Sequence, residues 1–489
     1  MMPRMLDMYI NGKWVQGEGE SRSIIDPSNG LVLAVVSESS LQQVDEAVCA
    51  AKAAFEKTEW STNKSMRVRL LRKLAERLDN SAEEFAQVES QNTGKPIRES
   101  RLDIGDSVAC LRYYADLVES RSEWQKEMFD GTMSHITDEP IGVCALIVPW
   151  NFPLLLGMWK LAPALAAGNT VIFKPSELTP LSFLKLAILI DEMGIPTGVF
   201  NLVLGDGASV GQPLVSHKDV DKVSFTGGSE TGKRIYQECA KTMKRVSLEL
   251  GGKSPLLVFE DADVETAVDW ALFGSFFNQG QVCVASSRIL VQRNMYGKFV
   301  SMLSQRLSQI RIGDPLEEST EMGPLVSHQH LQKMEEYIRI GKAEGATLLS
   351  GGNPIKEPGF YITPAVFINV HQEMRIVQEE IFGPVITVQA FDDQEEAVAL
   401  ANGTKYGLAA GILSRDVVRA KQVAAKLRAG TVWINGYHTP HVEAPWGGFK
   451  QSGIGRELGP YGLSAFTEPK HTNINHKLEA VEWYSVPNQ

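Results

Sequence analysis

The chain has 489 residues, of which 43% are hydrophobic and 22% are charged, and its formal net charge is −11. This composition is typical of a globular protein and argues against disorder, a coiled coil or a membrane protein, while the length predicts two or three domains. The acidic balance, with no basic run of five residues, argues against a nucleic-acid partner.

Five cysteines are widely spaced and never form a Cys-x-x-Cys pair: Cys49, Cys110, Cys144, Cys239 and Cys283. Their spacing predicts neither a disulfide framework nor a structural zinc site, and it favours a reducing compartment. Residues 1–12 lack the apolar segment of an export signal, and the longest apolar run, 141–149, is too short to span a bilayer. We therefore expect a cytoplasmic protein without a membrane anchor.

The N-terminal third predicts extended segments followed by helices. Asn11-Gly12 between apolar flanks predicts a hairpin over residues 8–16, and a second extended piece follows at 24–36. Between residues 40 and 119, apolar side chains such as Leu70, Leu74 and Leu78 recur at helical spacing, which predicts about three long helices. Residues 120–140 show no helical periodicity, so a surface loop and an extended ribbon that serves a partner subunit both remain open.

Five apolar runs then alternate with helical segments, at residues 142–148, 170–173, 199–204, 222–226 and 245–250. Continuous Val/Ile/Leu runs between helices are typical of a parallel sheet that is covered on both faces. This pattern predicts a doubly wound α/β nucleotide-binding architecture, whose ligands lie beyond the carboxyl ends of the strands.

A second alternation follows residue 252 and predicts a second α/β domain. We expect strands at residues 255–259, 289–291, 360–370, 385–388, 410–413 and 431–434, with the Cys283 segment as a further strand. The polar tail at 470–489, with alternation over 472–476, resembles an edge strand that seeks a partner.

Three residues suit covalent chemistry on a carbonyl group. Cys283 lies among glycine and short polar neighbours, where we expect an accessible thiol whose anion is favoured. Glu249 follows an apolar run and precedes two glycines, so it is a candidate general base on a loop that can swing. The side-chain amide of Asn151, near another strand end, is placed to donate to an oxyanion. Each residue alone also fits a plain role: core packing for the cysteine, a cap or turn for the others.

A dinucleotide site is predicted although the Gly-x-Gly-x-x-Gly fingerprint is absent. Phe225-Thr-Gly-Gly-Ser-Glu-Thr-Gly-Lys233 lies between a strand and a helix, and the helix N-terminus is suited to a pyrophosphate. A tight turn explains the same glycines. At the end of a neighbouring strand, Lys174 and Glu177 form a pair suited to ribose hydroxyls.

Seven motifs in register resemble the NAD(P)-dependent aldehyde dehydrogenase superfamily, from about Tyr9 to the C-terminus. They are Pro149-Trp-Asn-Phe-Pro153, Lys174-Pro-Ser-Glu177, Phe225-Thr-Gly227, Glu249-Leu-Gly-Gly-Lys253, Gly280-Gln-Val-Cys283, Glu380-Ile-Phe-Gly-Pro384 and Pro445-Trp-Gly-Gly-Phe-Lys-Gln-Ser-Gly453. The resemblance implies two doubly wound α/β domains plus a β-ribbon that builds dimers or tetramers. It places the cofactor-binding domain at 1–119 and 141–252, the catalytic domain at 253–452, and the oligomerisation elements at 120–140 and 470–489.

The resemblance also implies a role for each motif residue. Cys283 would attack the aldehyde, and Asn151 and the Cys283 N–H would hold the oxyanion. Glu249 would activate water and could also take the thiol proton, and Glu457 matches a position tied to a proton path in some members. The cofactor would be held by Trp150, Lys174, Glu177, Gly227, Gly228, Glu380 and Phe382. Many relatives have serine where this chain has Gly228, so we expect one hydroxyl contact to a phosphate to be missing.

Two expectations about ligands follow. Glu177 can accept a hydrogen bond from a free 2′-hydroxyl and would repel a 2′-phosphate, so NAD is favoured, with NADP as the alternative because Lys174 lies nearby. No metal-ligand set can be recognised in the sequence, although relatives bind a monovalent cation.

Four aromatic residues predict the substrate class: Phe152, Trp159, Phe277 and Trp446. A box of aromatic faces holds a quaternary ammonium group through cation–π attraction, although core packing is the plainer explanation for each ring. The combination resembles the betaine aldehyde dehydrogenases, with phenylalanine at 152 and 277 and Val284 after the nucleophile as departures. We therefore rank betaine aldehyde first, ω-aminoaldehydes second and neutral aliphatic aldehydes third.

Two other classes of protein were weighed against this interpretation. A Cys-His hydrolase lacks a histidine near a matching motif. A non-catalytic protein on an enzyme fold has no physical reason to retain Cys283, Glu249 and Asn151 together.

Overall fold

The computed structural model describes residues 7–355, 358–481 and 483–484. Residues 1–6 of the predicted cofactor-binding domain and residues 482 and 485–489 of the predicted tail element lie outside the described residues. The N-terminal part comprises β1 (Met8–Ile10), β2 (Lys13–Val15), β3 (Ser21–Ile25), β4 (Val32–Ser37), α1 (Leu41–Lys57), α2 (Lys64–Asn80), α3 (Ala82–Thr93) and α4 (Ile97–Ser120). The predicted hairpin is β1–β2, with Asn11 at a positive φ of 52°.

The helical layer has four helices, where the sequence predicted about three. Leu70, Leu74 and Leu78 are buried along α2, as predicted. The chain then breaks at Ser81, which ends α2 and begins α3, and again after Gly94, whose φ of 83° closes α3. The periodicity continues across these short breaks, so it did not indicate them.

The first sheet carries all five predicted strands. The chain first forms β5 (Trp124–Glu127) and β6 (Met133–Pro140), which lie outside this sheet. It then forms β7 (Val143–Ile147), α5 (Pro153–Ala167), β8 (Thr170–Lys174), α6 (Leu181–Asp191), β9 (Phe200–Leu202), α7 (Gln212–Ser216), β10 (Lys222–Thr226), α8 (Ser229–Ala240) and β11 (Arg245–Glu249). The order is β2-β1-β9-β8-β7-β10-β11, with β7 to β11 parallel to one another. The winding reverses between β7 and β10, which is where a doubly wound sheet binds its ligand.

The second sheet is also doubly wound. The part of the chain that builds it comprises β12 (Pro255–Val258), α9 (Val264–Phe276), β13 (Arg288–Gln292), α10 (Arg293–Leu307), α11 (His328–Ala343), β14 (Thr347–Ser350), β15 (Ala365–Ile368), α12 (Arg375–Gln378), β16 (Val385–Phe391), α13 (Gln394–Asn402), β17 (Tyr406–Gly407), β18 (Ala409–Leu413), α14 (Val417–Lys426) and β19 (Thr431–Ile434). Strand β17 lies outside this sheet. The order is β14-β15-β16-β13-β12-β18-β19. Alternate side chains pack on opposite faces, with Leu256 and Val258 in one core cluster and Leu257 in another.

Two predictions about the second sheet were wrong. The Cys283 segment forms no strand: residues 277–280 make a single turn of 3₁₀ helix, and residues 281–287 are irregular. The predicted strand at 360–370 is confined to β15, and the antiparallel edge strand β14 was not predicted.

The C-terminal segment joins the two sheets and the ribbon through β20 (Phe449–Lys450), β21 (Gly453–Ile454), α15 (Gly459–Ser464) and β22 (Thr467–Ile474). Strand β21 pairs with β11 at the edge of the first sheet. Strand β22 pairs with β6 along its whole length, and β6 pairs with β5. Residues 120–140 are therefore a ribbon rather than a loop, and the predicted edge strand begins at Thr467 and pairs with the chain's own ribbon.

Candidate active site

The two sheets meet at Glu249. This residue ends β11, and the chain passes through Gly251-Gly252 directly into β12, so the carboxyl end of one sheet faces the amino end of the other. Gly252 approaches the Cys283 backbone so closely that a Cβ atom there would lie 2.3 Å from the Cys283 carbonyl oxygen. Only glycine permits this approach, which brings the Cys283 segment beside Glu249.

Glu249 is buried at the strand terminus rather than carried on a free loop. Within the described chain, its Oε2 atom has no hydrogen-bond partner. Burial and the neighbouring carboxylate of Glu457 raise the pKa of Glu249 well above its usual range. A Cβ atom at Gly447 would lie 2.9 Å from the Glu249 Oε1 atom, so glycine at 447 leaves room for this carboxyl. A buried carboxyl whose pKa is raised above its usual range is a candidate general base.

A buried ion pair lies behind Glu249. Lys160 and Glu457 form it, and the Lys160 ammonium also donates to Thr226 Oγ1 at 2.6 Å. Glu457 Oε2 has no partner among the described residues. The pair places a cation and a second carboxyl next to the candidate base.

The segment that leads to Cys283 has an unusual backbone. Asn278, Gln279 and Gly280 have φ angles of 48°, 57° and 70°, which is the left-handed region that residues other than glycine rarely adopt. The turn interrupts the chain after α9, and this explains why the apolar Val282 and Val284 do not continue into a strand. Such strain persists only where the surroundings hold it in place.

Hydrogen bonds to Asn151 hold this segment. Asn151 Nδ2 donates to the Gln281 carbonyl at 2.9 Å, and Asn278 Nδ2 donates to the Asn151 carbonyl at 2.9 Å. The Asn278 backbone N–H donates to Glu99 Oε2 at 2.8 Å. The predicted oxyanion donor and the segment that precedes the nucleophile therefore fix one another.

Gln279 and Gln281 complete the support. Gln279 Nε2 donates to the carbonyls of Gly94 and Pro324 at 3.0 and 2.9 Å, and Gln281 Oε1 accepts from the Val326 N–H at 3.0 Å. The amide side chains that precede Cys283 thus position the loop instead of lining an open pocket.

The Cys283 thiol does not have the anion-favouring environment that the sequence predicted. The residue remains partly exposed, but burial of the thiol, together with the carboxylates of Glu380 and Glu249, raises its pKa to about 12. The Cys283 thiol is therefore protonated at neutral pH, and a nucleophilic role would require a base that removes this proton.

The four predicted aromatic residues form two pairs. Phe152 stacks on Phe277 with ring centroids 6.2 Å apart, and Trp159 packs edge-on against Trp446 at 5.2 Å. Phe277 also lines a surface cleft of about 580 Å³. The indole N–H of Trp159 is buried and, within the described chain, has no acceptor.

One face of this aromatic group is already in contact with a cation. The Lys95 ammonium lies 3.7 Å from the Phe152 ring centroid and is paired with buried Asp103. Burial raises the pKa of Asp103 to about 6 and that of Glu99 to about 8. Lys95 was not among the predicted site residues.

Two of the residues predicted to hold the cofactor, Trp150 and Phe382, lie in a cluster of rings. Trp150 packs edge-on against His330 at 5.1 Å and against Phe382 at 5.3 Å. Burial lowers the pKa of His330 to about 4, so the ring is neutral, and its Nε2–H donates to the Phe382 carbonyl at 2.6 Å. Phe382 has a positive φ of 67°, which this bond stabilises.

The residues predicted to hold the adenosine and pyrophosphate lie at neighbouring strand ends. Lys174 ends β8, and its buried ammonium lies 4.0 Å from Glu177 Oε2. Gly228 caps α8 without a side-chain hydrogen bond, and a Cβ atom there would meet no atom within 4 Å. This uncapped helix N-terminus beside open space fits a pyrophosphate. The deeper Glu380 accepts from the Gly252 N–H at 3.0 Å.

The chain is similar to known proteins over nearly its whole length. A model of the aldehyde dehydrogenase family matches residues 14–472. The chain belongs to the aldehyde dehydrogenase family. It is 48% identical over 485 residues to a betaine aldehyde dehydrogenase of Bacillus subtilis, covering 98% of this chain and 99% of that protein. It is 42% identical over 491 residues to the peroxisomal aminoaldehyde dehydrogenase 2 of Pisum sativum, with 98% of each covered.

Solved structures show the same aldehyde dehydrogenase fold. The crystal structure of a betaine aldehyde dehydrogenase from Staphylococcus aureus in complex with NAD+ superposes with a TM-score of 0.96 at 44% sequence identity, covering 98% of this chain and 97% of that one. The fold class predicted from the sequence is therefore confirmed.

Four residues around this aldehyde dehydrogenase site were missed by sequence reasoning: Lys95, Glu99, Lys160 and His330. Lys160 had a usable signal, because it is the only charged residue in α5, a helix buried along its whole length. The others stand in segments of mixed polarity, and only the tertiary contacts reveal them.

The described residues contain neither a candidate metal centre nor a helix that could span a membrane. Within residues 7–355, 358–481 and 483–484, no group of three or more His, Cys, Asp or Glu side chains is arranged to hold a metal ion. The same described ranges contain no helix that is both long and apolar enough to cross a membrane.

Proposed function

We propose that this protein oxidises betaine aldehyde to glycine betaine with NAD, and that Cys283 carries the acyl group. The observation that carries the proposal is the junction of the two sheets, where a thiol, a buried carboxyl of raised pKa and a fixed side-chain amide come together. The similarity to the Bacillus subtilis enzyme supports the choice of substrate.

The reaction begins with addition of Cys283 to the aldehyde. The Sγ atom bonds to the carbonyl carbon while the thiol proton passes to Glu249, which is needed because the thiol is neutral at rest. The carbonyl oxygen becomes an oxyanion, and the Asn151 amide and the Cys283 N–H stabilise it. Asn151 Nδ2 has two hydrogens, so it can donate to the oxyanion while it keeps its bond to the Gln281 carbonyl.

The cofactor supplies the oxidising step. NAD, when bound, would supply a hydride acceptor, and the oxidised acyl group would then remain on Cys283 as a thioester. We assign the binding of NAD to Trp150, Lys174, Glu177, Gly227, Gly228, Glu380 and Phe382, because the ring-walled groove and the uncapped N-terminus of α8 fit its two halves. Glu177 favours NAD over NADP, since it can accept a hydrogen bond from a free ribose hydroxyl.

Hydrolysis of the thioester completes the cycle. Once Glu249 has lost the proton that it took from the thiol, it takes a proton from a water molecule, and the resulting hydroxide attacks the thioester carbon. The Cys283 thiolate then leaves the acid product and takes the second proton back from Glu249. The ion pair of Glu457 and Lys160 lies behind Glu249, and we assign Glu457 to the removal of the proton from Glu249.

The aromatic residues select the substrate. Phe152, Trp159, Phe277 and Trp446 present ring faces and edges to a cationic aldehyde, and each favourable cation–π contact contributes about 0.5 to 2 kcal/mol. The Lys95 ammonium over Phe152 weakens that ring as a partner for a further cation. An ω-aminoaldehyde such as 4-aminobutyraldehyde is the second candidate, favoured by the similarity to the Pisum sativum enzyme; broad aliphatic aldehydes rank third.

The domain and assembly assignments remain proposals. We place cofactor binding in residues 1–119 and 141–252 and catalysis in 253–452. The edge strand β5 and the fully exposed Phe129 at the ribbon tip support a homo-oligomer, a dimer or a tetramer, built through 120–140 and the tail at 470–489. We further propose a cytoplasmic enzyme whose product serves osmoprotection.

The test is an NADH absorbance assay with betaine aldehyde, 4-aminobutyraldehyde and propanal, each with NAD and with NADP. We expect the highest kcat/KM for betaine aldehyde with NAD. The variant Cys283→Ala should lose oxidation while it still binds NAD by titration calorimetry. Turnover by that variant, or no turnover of any aldehyde by the unsubstituted protein, would refute the proposal.

A further inference from the structure

Five charged side chains gather at the end of β8. They come from separate segments: Arg22 from β3, Glu38 after β4, Lys174 and Glu177 at β8, and Asp206 after β9. The Arg22 Nε atom lies 2.5 Å from Glu38 Oε1, and its Nη2 atom lies 3.8 Å from Asp206 Oδ2. We call these five residues the charged corner; two of them, Lys174 and Glu177, are the proposed adenosine-ribose contacts.

Asp206 occupies a position that an anion would otherwise favour. Its Oδ1 atom accepts from the Ala208 and Ser209 backbone N–H groups at 2.9 and 2.7 Å and from the Ser209 hydroxyl at 2.9 Å. These donors begin the helical segment that continues into α7. A carboxylate of the chain itself therefore satisfies these donors.

The charged corner contains three carboxylates and two cations. Glu38 is largely buried and satisfied by Arg22, whereas the Glu177 and Asp206 side chains are 32% and 40% exposed. The two exposed carboxylates therefore face any ligand that enters. A 2′-phosphate adds up to two further negative charges, so both residues oppose it.

The two cations, Lys174 and Arg22, differ in how accessible they are to a ligand. Lys174 is buried, and its ammonium donates to the Pro175 carbonyl at 3.0 Å. Arg22 is 33% exposed and uses Nε for Glu38, which leaves the Nη2 end directed toward Asp206. A guanidinium group suits the planar recognition of a phosphate, and here the carboxylate of Asp206 lies on the Nη2 side of that group.

We propose that Asp206 acts with Glu177 to exclude NADP, and that Arg22 is a latent 2′-phosphate ligand that Asp206 screens. This inference rests on the proposed function, because it takes NAD as the cofactor and Lys174 and Glu177 as the ribose contacts. Arg22 and Asp206 lie outside every motif through which the chain resembles its family.

The test uses Asp206→Asn, Glu177→Gln, the double variant, and the double variant with Arg22→Ala. Asparagine also caps helices well, so Asp206→Asn removes charge without removing the cap. Asp416→Asn is the matched control, because Asp416 caps α14 through two backbone N–H groups, of Val418 and Arg419, far from the charged corner.

Two measurements are made on each variant. The first is the ratio of kcat/KM for NADP to that for NAD with one aldehyde. The second, independent of turnover, is the ratio of the dissociation constants of adenosine 2′,5′-bisphosphate and AMP by titration calorimetry. We expect each single charge removal to shift both ratios toward the 2′-phosphate by about two- to fivefold and the double variant by about tenfold. Arg22→Ala should reverse most of that gain.

The outcomes separate the two proposals. If Asp206→Asn shifts the ratios no more than Asp416→Asn, or if Arg22→Ala leaves the gain of the double variant intact, this inference is wrong and the proposed function stands. If the unsubstituted protein neither turns over NAD nor binds AMP, the proposed function fails and this inference fails with it.

Discussion

The ammonium of Lys95 lies 3.7 Å from the centre of the Phe152 ring, and its partner is the buried carboxylate of Asp103. The protein has thus placed a cation of its own against one wall of the aromatic group that is proposed to receive a cationic substrate. Breaking a buried ion pair on one side leaves an uncompensated charge, whereas replacing both partners by apolar residues is often close to neutral.

We therefore expect Lys95→Met to lower the free energy of unfolding by about 3–5 kcal/mol and Lys95→Met with Asp103→Leu to recover most of that loss. Urea unfolding measures both. Lys185→Met is the matched control, because Lys185 also lies over a phenylalanine ring, Phe85, but its partner Glu84 is exposed. If Lys95→Met and Lys185→Met lower the free energy of unfolding equally, the burial of the Lys95 ion pair does not cause the larger loss expected at position 95.

Trp446→Ala tests the aromatic selection of the substrate. Loss of one cation–π partner worth about 0.5 to 2 kcal/mol should raise KM for betaine aldehyde by about 2- to 30-fold, because 1.4 kcal/mol corresponds to tenfold. KM for propanal should change far less. Trp446→Phe keeps a ring face, so its KM for betaine aldehyde should lie between those of the unsubstituted protein and Trp446→Ala. The cage would be ruled out by equal losses on the two aldehydes.

Glu457→Gln tests the electrostatic coupling behind Glu249. Burial is the largest cause of the raised pKa of Glu249, and the Glu457 carboxylate raises it further, while Lys160 lowers it. Removing the Glu457 charge should lower the pKa of Glu249, so the acid limb of the kcat–pH profile should move to lower pH. Glu457→Asp, which keeps the charge, should leave the limb in place. A shift of the limb to higher pH would show that Glu457 does not act through its charge.

Glu99→Gln and Glu99→Ala test the support of the Cys283 segment. Burial raises the pKa of Glu99 to about 8, so at pH 7 the folded protein binds a proton that the unfolded chain releases. Glutamine needs no proton, so Glu99→Gln should stabilise the fold at pH 7 by about 1–3 kcal/mol, and this gain should disappear as the pH falls toward 4.5.

Glu99→Ala serves as the contrast, because it removes the acceptor of the Asn278 N–H. An unsatisfied buried donor costs about 1–3 kcal/mol, and the loosened turn should let iodoacetamide alkylate Cys283 faster than in the glutamine variant. Urea unfolding between pH 4.5 and 8 and alkylation kinetics provide the two measurements. A glutamine variant that is destabilised most at pH 8 would mean that Glu99 is ionised in the fold.

The strands of the first sheet were predictable because their residues are apolar on both faces. Strands β7, β8, β10 and β11 lie within a residue or two of the predicted runs, since a covered parallel sheet leaves a continuous signal that does not depend on distant contacts. The apolar signal that predicts such strands was misleading around Cys283. Val282, Val284 and Ala285 carry a strand-like signal, but the left-handed turn before them is held by partners elsewhere in the chain.

The candidate catalytic residues were predictable one by one, and their surroundings were not. Lys160 and Glu457 are 297 residues apart, and no local pattern connects them. The expected anion-favouring environment of Cys283 was wrong for a similar reason. Glycines and small polar residues suggested an open loop, whereas folding buries the thiol beside Glu249 and Glu380.

Two hydrogen bonds tie Asn151 to the segment that contains Asn278 and Gln281. These bonds affect how the protein would lose activity. Asn151 belongs to the half of the molecule built on the first sheet, and its partners belong to the half built on the second. Displacing one half against the other by about an ångström therefore unseats the amide and the nucleophile together, because a hydrogen bond weakens steeply beyond its normal length. If Cys283 and Asn151 act as proposed, mild denaturant should abolish turnover in one step while both halves keep their secondary structure.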